Sequence, residues 1–183
     1  MASIKIATLN CRGLMSPAKR RRLNLYVKQH RVDILLLQET HVADNSLMTE
    51  IANEWGMRGY WSLGSYQSKG VAILFKLSLN VTHNCHFRDS DGRLVVVNMK
   101  MGDENFRLIN IYAPNKARER YNFFKAVEDR LHAPGIRVLV AGDFNCVEDA
   151  SLDRVTTPGN RTVFYDIKLL TEWSRTYAIE DVF

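Results

Sequence analysis

No apolar run in this chain approaches the roughly 18 residues that a membrane-spanning helix needs. The N-terminal stretch Met1-Ala2-Ser3-Ile4-Lys5-Ile6-Ala7 alternates like a strand. It does not set a charged segment before a long apolar one, so no secretory leader is expected. Cysteine is scarce: Cys11, Cys85 and Cys146 stand far apart, with no C-x-x-C. An odd count without framework spacing predicts reduced thiols and an intracellular setting, cytosolic or nuclear. Internal repeats, low-complexity tracts and linker-like stretches are also absent. Neither G-x-G-x-x-G nor G-x-x-x-x-G-K occurs, which ranks a generic nucleotide-binding domain last. No histidine follows His132.

What remains is a chain of 183 residues, 46% hydrophobic and 25% charged, suited to one ordinary domain with a real core. Its formal net charge of +5 is compatible with a polyanionic partner. Arg12, Lys19, Arg20, Arg21 and Arg22 lie close to the end of the first strand. For the run Lys19 to Arg22 taken alone, a solvated helix face is the simpler reading.

The pattern along the chain predicts alternating strands and helices. Ile4 to Leu9 reads as a strand, and Ser16-Pro17 as an N-cap with a first-turn proline. Asp33 to Glu39 is a buried strand. Asp44 or Asn45 caps a helix lined by Leu47, Ile51 and Trp55, which Gly56 ends. Tyr60–Leu63, Val71–Lys76, Val81–Phe87, Leu94–Met101 and Phe106–Tyr112 read as short, mainly antiparallel strands joined by turns. A helix through Phe123, Phe124, Val127 and Leu131 follows, and then the strand Val138 to Ala141. Residues Glu148 to Arg161 read as a polar loop. Thr162 is expected to cap a last helix with Val163, Ile167, Leu170 and Trp173 on its apolar face. The fold class is therefore α/β with two mixed or antiparallel sheets.

Four apolar strands finish in polar groups: Asn10, Glu39, Tyr112 with Asn115, and Asp143 with Asn145. Residues i and i+2 of extended chain point to the same side, so Asp143 and Asn145 can face one point. A carboxylate and an amide there suit phosphoester hydrolysis; the same pair also closes an ordinary Asx turn. Mg²⁺ binds through one or two carboxylates and keeps several waters, and Glu39 with Asp143 can serve it. The histidines add little on this reading. Read as adjacent to Glu39, His41 is expected to point away from it, and His83 and His86 to face opposite sides of a strand.

Five stretches appear in order: Thr8-Leu9-Asn10-Cys11-Arg12-Gly13, Leu37-Gln38-Glu39-Thr40-His41, Gly70-Val71-Ala72-Ile73-Leu74-Phe75, Asn110-Ile111-Tyr112-Ala113-Pro114-Asn115 and Gly142-Asp143-Phe144-Asn145. In order and spacing they resemble the endonuclease/exonuclease/phosphatase superfamily. Asn-Cys-Arg-Gly and Gln-Glu-Thr-His most resemble the apurinic-type endonuclease domain of LINE-type (non-LTR) retrotransposons.

The resemblance implies a four-layer α/β sandwich and Mg²⁺-dependent cleavage of a DNA phosphodiester, with Mn²⁺ as the alternative ion and no small-molecule cofactor. It implies Glu39 as metal ligand, Asn10 supporting metal and phosphate, Tyr112 contacting the scissile phosphate, and Asp143 and Asn145 handling the attacking water and the phosphate. Arg12, Lys69 and Asn115 are the expected contacts to nucleic acid. The implied partners are DNA and a reverse transcriptase region of the same polyprotein, with no membrane and with action in the nucleus.

One part of the pattern is not met. The family's final motifs place an Asp and then an adjacent Asp-His pair, and nothing after Asn145 matches them; Asp153-Arg154 and Asp181 are poor substitutes. This predicts a domain incomplete at its C-terminus, lacking its last strands. Loss of such a histidine would cost roughly 10²- to 10⁴-fold in turnover. An abasic-site repair endonuclease, a phosphatase of the same fold and a catalytically dead nucleic-acid-binding fragment stay open beside the retrotransposon reading.

Overall fold

The strand Ile34-Leu35-Leu36-Leu37-Gln38 (β2) is buried along its whole length, as expected of a central strand covered on both faces. It is seen in a computed structural model that describes residues 3–146 and 165–177. The chain divides into two compact units. One comprises Met1–Tyr112 with Gly135–Asp143, and the other Ala113–Pro134 with Phe144–Phe183.

The first unit holds two four-stranded mixed sheets. In one, β1 (Ile6–Asn10) runs parallel to β2, with β4 (Val71–Lys76) antiparallel on its other side and β3 (Met57–Ser62) beyond. In the other, β5 (Thr82–Arg88), β6 (Leu94–Met101) and β7 (Glu104–Tyr112) form an antiparallel meander, and β8 (Arg137–Asp143) adds parallel to β7. Parallel neighbours cannot be joined by a hairpin. The helices α1 (Pro17–Gln29) and α3 (Ala117–Leu131) make the two crossovers.

Alternation along the strands sends side chains to two cores. Ile34, Leu36, Ile73 and Phe75 pack with Val95, Val97, Met99 and Leu108 between the sheets. Leu35, Leu37, Ala72 and Leu74 face the other way, onto Val27 of α1 and onto Ile51 and Trp55 of α2 (Asn45–Trp55). The caps stand where the sequence placed them: Ser16 accepts from the Lys19 N–H and Asp44 from the Leu47 N–H, and Gly56 ends α2 at φ 63°.

A polar seam crosses the inter-sheet core. Asn110 is fully buried, and its amide donates to the carbonyls of Leu37 (2.9 Å) and Ala72 (2.8 Å). Its oxygen accepts from Gln38 Nε2 at 2.6 Å. Three strands from two sheets are thereby tied in register.

Arg20 departs from the solvated-face reading. It is 2% exposed, donates from Nε to Glu54 (3.0 Å) and from Nη2 to Glu50, and Nη1 reaches the carbonyls of Leu14 and Met15. Arg21 and Arg22 are exposed. A buried guanidinium is satisfied here by carboxylates that α2 brings from about 30 residues downstream, information that a helical period does not carry.

In the second unit α3 buries Phe124, Val127 and Leu131. Phe124 meets Trp173 of α4 (Tyr165–Tyr177) edge to face at 5.4 Å between ring centroids. Among the described side chains of α4, Leu169 and Trp173 are buried, an i, i+4 stripe one position away from the expected Leu170, which is half-buried. Strands β3 and β7 begin at Met57 and Glu104, earlier than their apolar runs suggest. Thr162, Val163, the stretch 148–161 and Asp181 lie outside the described residues.

Candidate catalytic rim

The two parallel strand pairs end together. Asn10 stands opposite Gln38 at the close of β1 and β2, and Tyr112 opposite Asp143 at the close of β7 and β8. Glu39 is the next residue after β2. The Asn10 amide nitrogen donates to Glu39 Oε1 and to Asp143 Oδ2, each at 2.8 Å. One NH₂ group carries two protons, so it can serve both carboxylates at once. The Tyr112 phenol lies close enough to Glu39 for that carboxylate to raise its pKa. Four residues of the first unit, separated by up to 133 positions, thus share one cluster.

Backbone strain gathers at this rim. Of the five described non-glycine residues of the first unit with left-handed backbone, four are in the loops beside it, Arg12 (φ 47°), Glu39 (51°), His41 (55°) and Lys69 (64°), and the fifth, Arg31 (54°), follows α1. Such residues cost on the order of 1–3 kcal/mol each and persist where surrounding structure imposes them. Hydrogen bonds impose them here: Gly13 N–H to Glu39 O (2.6 Å), Thr40 N–H to Gly70 O (3.0 Å) and His41 N–H to Lys69 O (3.0 Å). Gly142 is required beside Asp143, because a Cβ there would lie 2.1 Å from the Ile111 carbonyl oxygen.

His41 corrects the expectation that it points away. Its Nε2 lies 3.6 Å from Glu39 Oε2. Glu39 and His41 stand two positions apart, not next to one another, and strand alternation puts that spacing on one side; His41 also closes over Gly13, where a Cβ would sit 3.0 Å from Nδ1. His83 and His86 behave as expected of opposite strand faces: His83 stacks on Phe75 at 4.1 Å and His86 is exposed.

The expected nucleic-acid contacts differ in their surroundings. Arg12 is exposed. Its N–H is held by Asn10 Oδ1 at 3.2 Å, and its carbonyl accepts from Lys19 Nζ at 2.7 Å. The Lys69 ammonium is paired with Asp91 at 2.5 Å. Asn115 and Asn145 belong to the second unit. There Asn115 is exposed, with its carbonyl accepting from Arg120 at 2.7 Å, and Asn145 donates to the Ala113 carbonyl at 2.7 Å.

Burial, and after it the nearby Glu39 carboxylate, pushes the Tyr112 phenol above its ordinary pKa, against a smaller lowering by Arg93. The phenol is therefore a proton donor at neutral pH. Burial also pushes the Cys11 thiol up to about 12, so the cysteine beside Asn10 is no nucleophile. Sequence reasoning passed over Arg93, whose guanidinium lies 5.1 Å from the Tyr112 ring centroid. The signal available was its place directly after the turn glycine Gly92.

The sequence profile described as Endonuclease/Exonuclease/phosphatase family matches residues 7–175. The chain belongs to the endonuclease/exonuclease/phosphatase family. It is 27% identical over 150 residues to a Xenopus laevis protein, the transposon TX1 uncharacterized 149 kDa protein, covering 81% of this chain and 11% of that one. It is 31% identical over 176 residues to the Danio rerio DNA repair nuclease APEX1, covering 87% of this chain and 54% of that one. The chain thus spans about half or less of these relatives. Among solved structures, the AP endonuclease LMAP from Leishmania major superposes with a TM-score of 0.72 at 18% identity, over 95% of this chain and 66% of that one. The family fold, two mixed sheets with flanking helices, is the one described above. Among the described residues of this family member no group of three or more His, Cys, Asp or Glu side chains is placed to hold a metal ion. The rim offers two carboxylates and an amide instead.

Proposed function

We propose that this chain is the DNA-nicking endonuclease domain of a non-LTR retrotransposon protein, dependent on Mg²⁺ or Mn²⁺. The observation that carries the reading is the single Asn10 amide bonded to both Glu39 and Asp143 beside the Tyr112 phenol. The Asn-Cys-Arg-Gly and Gln-Glu-Thr-His motifs and the likeness to a transposon protein support the retrotransposon branch.

Oxygen donors from two carboxylates fit a hard divalent cation that keeps most of its waters. Glu39 would hold it, with Asn10 Oδ1 alongside. When bound, such an ion supplies charge neutralisation at the phosphate and acidifies a coordinated water. Asp143, steered by the Asn10 amide, takes a proton from the attacking water. Tyr112 donates to a phosphate oxygen as negative charge grows there, and Asn145, by its place in Gly-Asp-x-Asn, supplies a second donor. Arg12, Lys69 and Asn115 contact the DNA backbone; Lys69 must exchange Asp91 for a phosphate to do so. The activity operates together with a reverse transcriptase carried on the same polyprotein.

Two measurements test this. Mn²⁺ titration followed by NMR should broaden signals around Glu39 first, and Glu39→Ala should remove that selectivity. Uniform broadening would refute the metal site. Supercoiled plasmid should be nicked with Mg²⁺ and spared with EDTA. Likeness to a DNA repair nuclease, with motifs that resemble an apurinic-type endonuclease, favours a second reading, cleavage at abasic sites. A duplex carrying one abasic site, cut at least ~10-fold faster than intact DNA, would select it.

A further inference from the structure

The turn between β5 and β6 carries ties that rim chemistry alone does not explain. Asp89 Oδ1 accepts from the N–H groups of Arg93 and Leu94, both at 3.1 Å. The Ser62 hydroxyl, from β3, donates to the Asp89 carbonyl at 2.8 Å and accepts from the Gly92 N–H at 3.1 Å. The Gly92 carbonyl accepts from the Gly70 N–H at 2.9 Å, which locks the turn to the loop before β4. Arg93 therefore leaves a rigid backbone.

Its side chain is as constrained as its main chain. Nη1 donates to the Tyr112 carbonyl at 3.0 Å, and the Tyr112 N–H returns a bond to the Arg93 carbonyl at 2.8 Å. Nε faces Asp91 Oδ2 at 3.5 Å, and Asp91 also holds Lys69. The guanidinium, only 17% exposed, lies over the Tyr112 ring at 5.1 Å. A planar cation over an aromatic face is attracted by the ring's negative π-cloud. It also closes one side of a ring that is itself only half-buried.

We propose that Arg93 is a positioning residue for Tyr112: its guanidinium, braced by Asp91, fixes the ring so that the phenol stays beside Glu39 at the rim. An unclamped tyrosine could rotate about χ1 and carry its hydroxyl ångströms away. Misplacement by about 1 Å can cost on the order of 10²-fold in rate. Lysine cannot substitute fully. Its ammonium lacks the flat fork that stacks on the ring and bonds a carbonyl and a carboxylate together. The inference rests on the reading of Tyr112 as a phosphate-contacting phenol, but its structural half can be measured without substrate.

The test uses the full chain with ¹³C-labelled tyrosine rings, the Tyr112 resonance being assigned by its loss in Tyr112→Phe. In Arg93→Met that resonance should shift and narrow as the ring gains freedom; in Arg93→Lys and Asp91→Asn it should lie between. Asp91→Asn leaves the arginine in place and keeps the test open if Arg93→Met fails to fold. In nicking, Arg93→Met should lower kcat by about 10- to 100-fold with KM within about threefold. Adding it to Tyr112→Phe should lower kcat little further. A Tyr112 resonance unchanged in all three variants would overturn the proposal. So would a raised KM at constant kcat that is additive with Tyr112→Phe, the mark of a direct DNA contact. The ring measurement decides the role of Arg93 even if the wild-type chain nicks nothing, whereas the wild-type assay alone decides the nuclease reading.

Discussion

The same strands look different at their middles and at their ends. Midway, β2 and β7 carry mainly aliphatic side chains, and their buried polar groups are satisfied: Asn110 through both its donors and its acceptor, and Arg107 by donating to Asn98. At the ends, Asn10, Glu39, Tyr112 and Asp143 are only partly buried, and the adjoining loops hold left-handed non-glycine residues. Two carboxylates are there brought onto one nitrogen, an arrangement that stability alone does not favour, since like charges repel. The middles hold the fold, and the ends draw on that rigidity to keep an arrangement that would relax if left to itself.

Substitutions should separate the two regions. The largest effect is expected at the rim, on activity. Asp143→Asn should reduce kcat for plasmid nicking by about 10²- to 10⁴-fold, by loss of the proposed general base, with the denaturation midpoint nearly unmoved. Parallel kinetics and urea melts would show it.

Next comes the middle, on stability. Asn110→Ala strands the carbonyls of Leu37 and Ala72 and removes a partner from Gln38. It should lower the unfolding free energy by about 3 kcal/mol, the cost of leaving buried polar groups unpaired. A loss under about 1 kcal/mol in urea melts would break the contrast.

A smaller, pH-dependent effect is expected at His83. Burial holds the pKa of this ring below the ordinary histidine value, and its Nε2 has no hydrogen-bond partner. The unfolded chain takes up the proton near pH 6.5, before the folded chain does. This neutral ring therefore contributes stability above about pH 6.5, and the contribution is lost as pH falls through the folded pKa. Melting curves should show a shallower acid loss of Tm in His83→Leu than in the wild type.

Smallest of all, Glu39→Gly should stabilise the fold by under about 1 kcal/mol. Glycine relieves the φ of 51° but adds freedom to the unfolded chain. A clear destabilisation in calorimetry would mean that the contacts of the Glu39 side chain hold the rim together and outweigh the strain in its backbone.

Features set by neighbours in sequence were legible: Ser16 before Pro17, Asp44 as a cap, Gly56 as a stop, and the turns flanking β6. The strand ends that meet at the rim were legible as well, because an apolar run that closes on Asn, Glu, Tyr or Asp advertises a polar edge. Features set by partners far along the chain were not. Arg20 is buried only because Glu50 and Glu54 arrive on another helix. Asn110 sits inside an apolar run, and only the pairing of two sheets shows what it bonds. His41 is a different case: its i, i+2 spacing from Glu39 already points to one side, and treating the two as adjacent hid a closeness that strand alternation allows.

Cys11 adjoins Asn10, yet its Sγ donates to the Gln38 carbonyl at 3.1 Å and it stays protonated far above neutral pH. Maleimide reagents attack thiolates, so at neutral pH they should pass it by and react instead at the half-buried Cys85, out on β5, and Cys146, next to Asn145. With Cys146 replaced by serine, a fluorophore or spin label can therefore be attached at Cys85 without blocking the strand ends where phosphate chemistry is proposed.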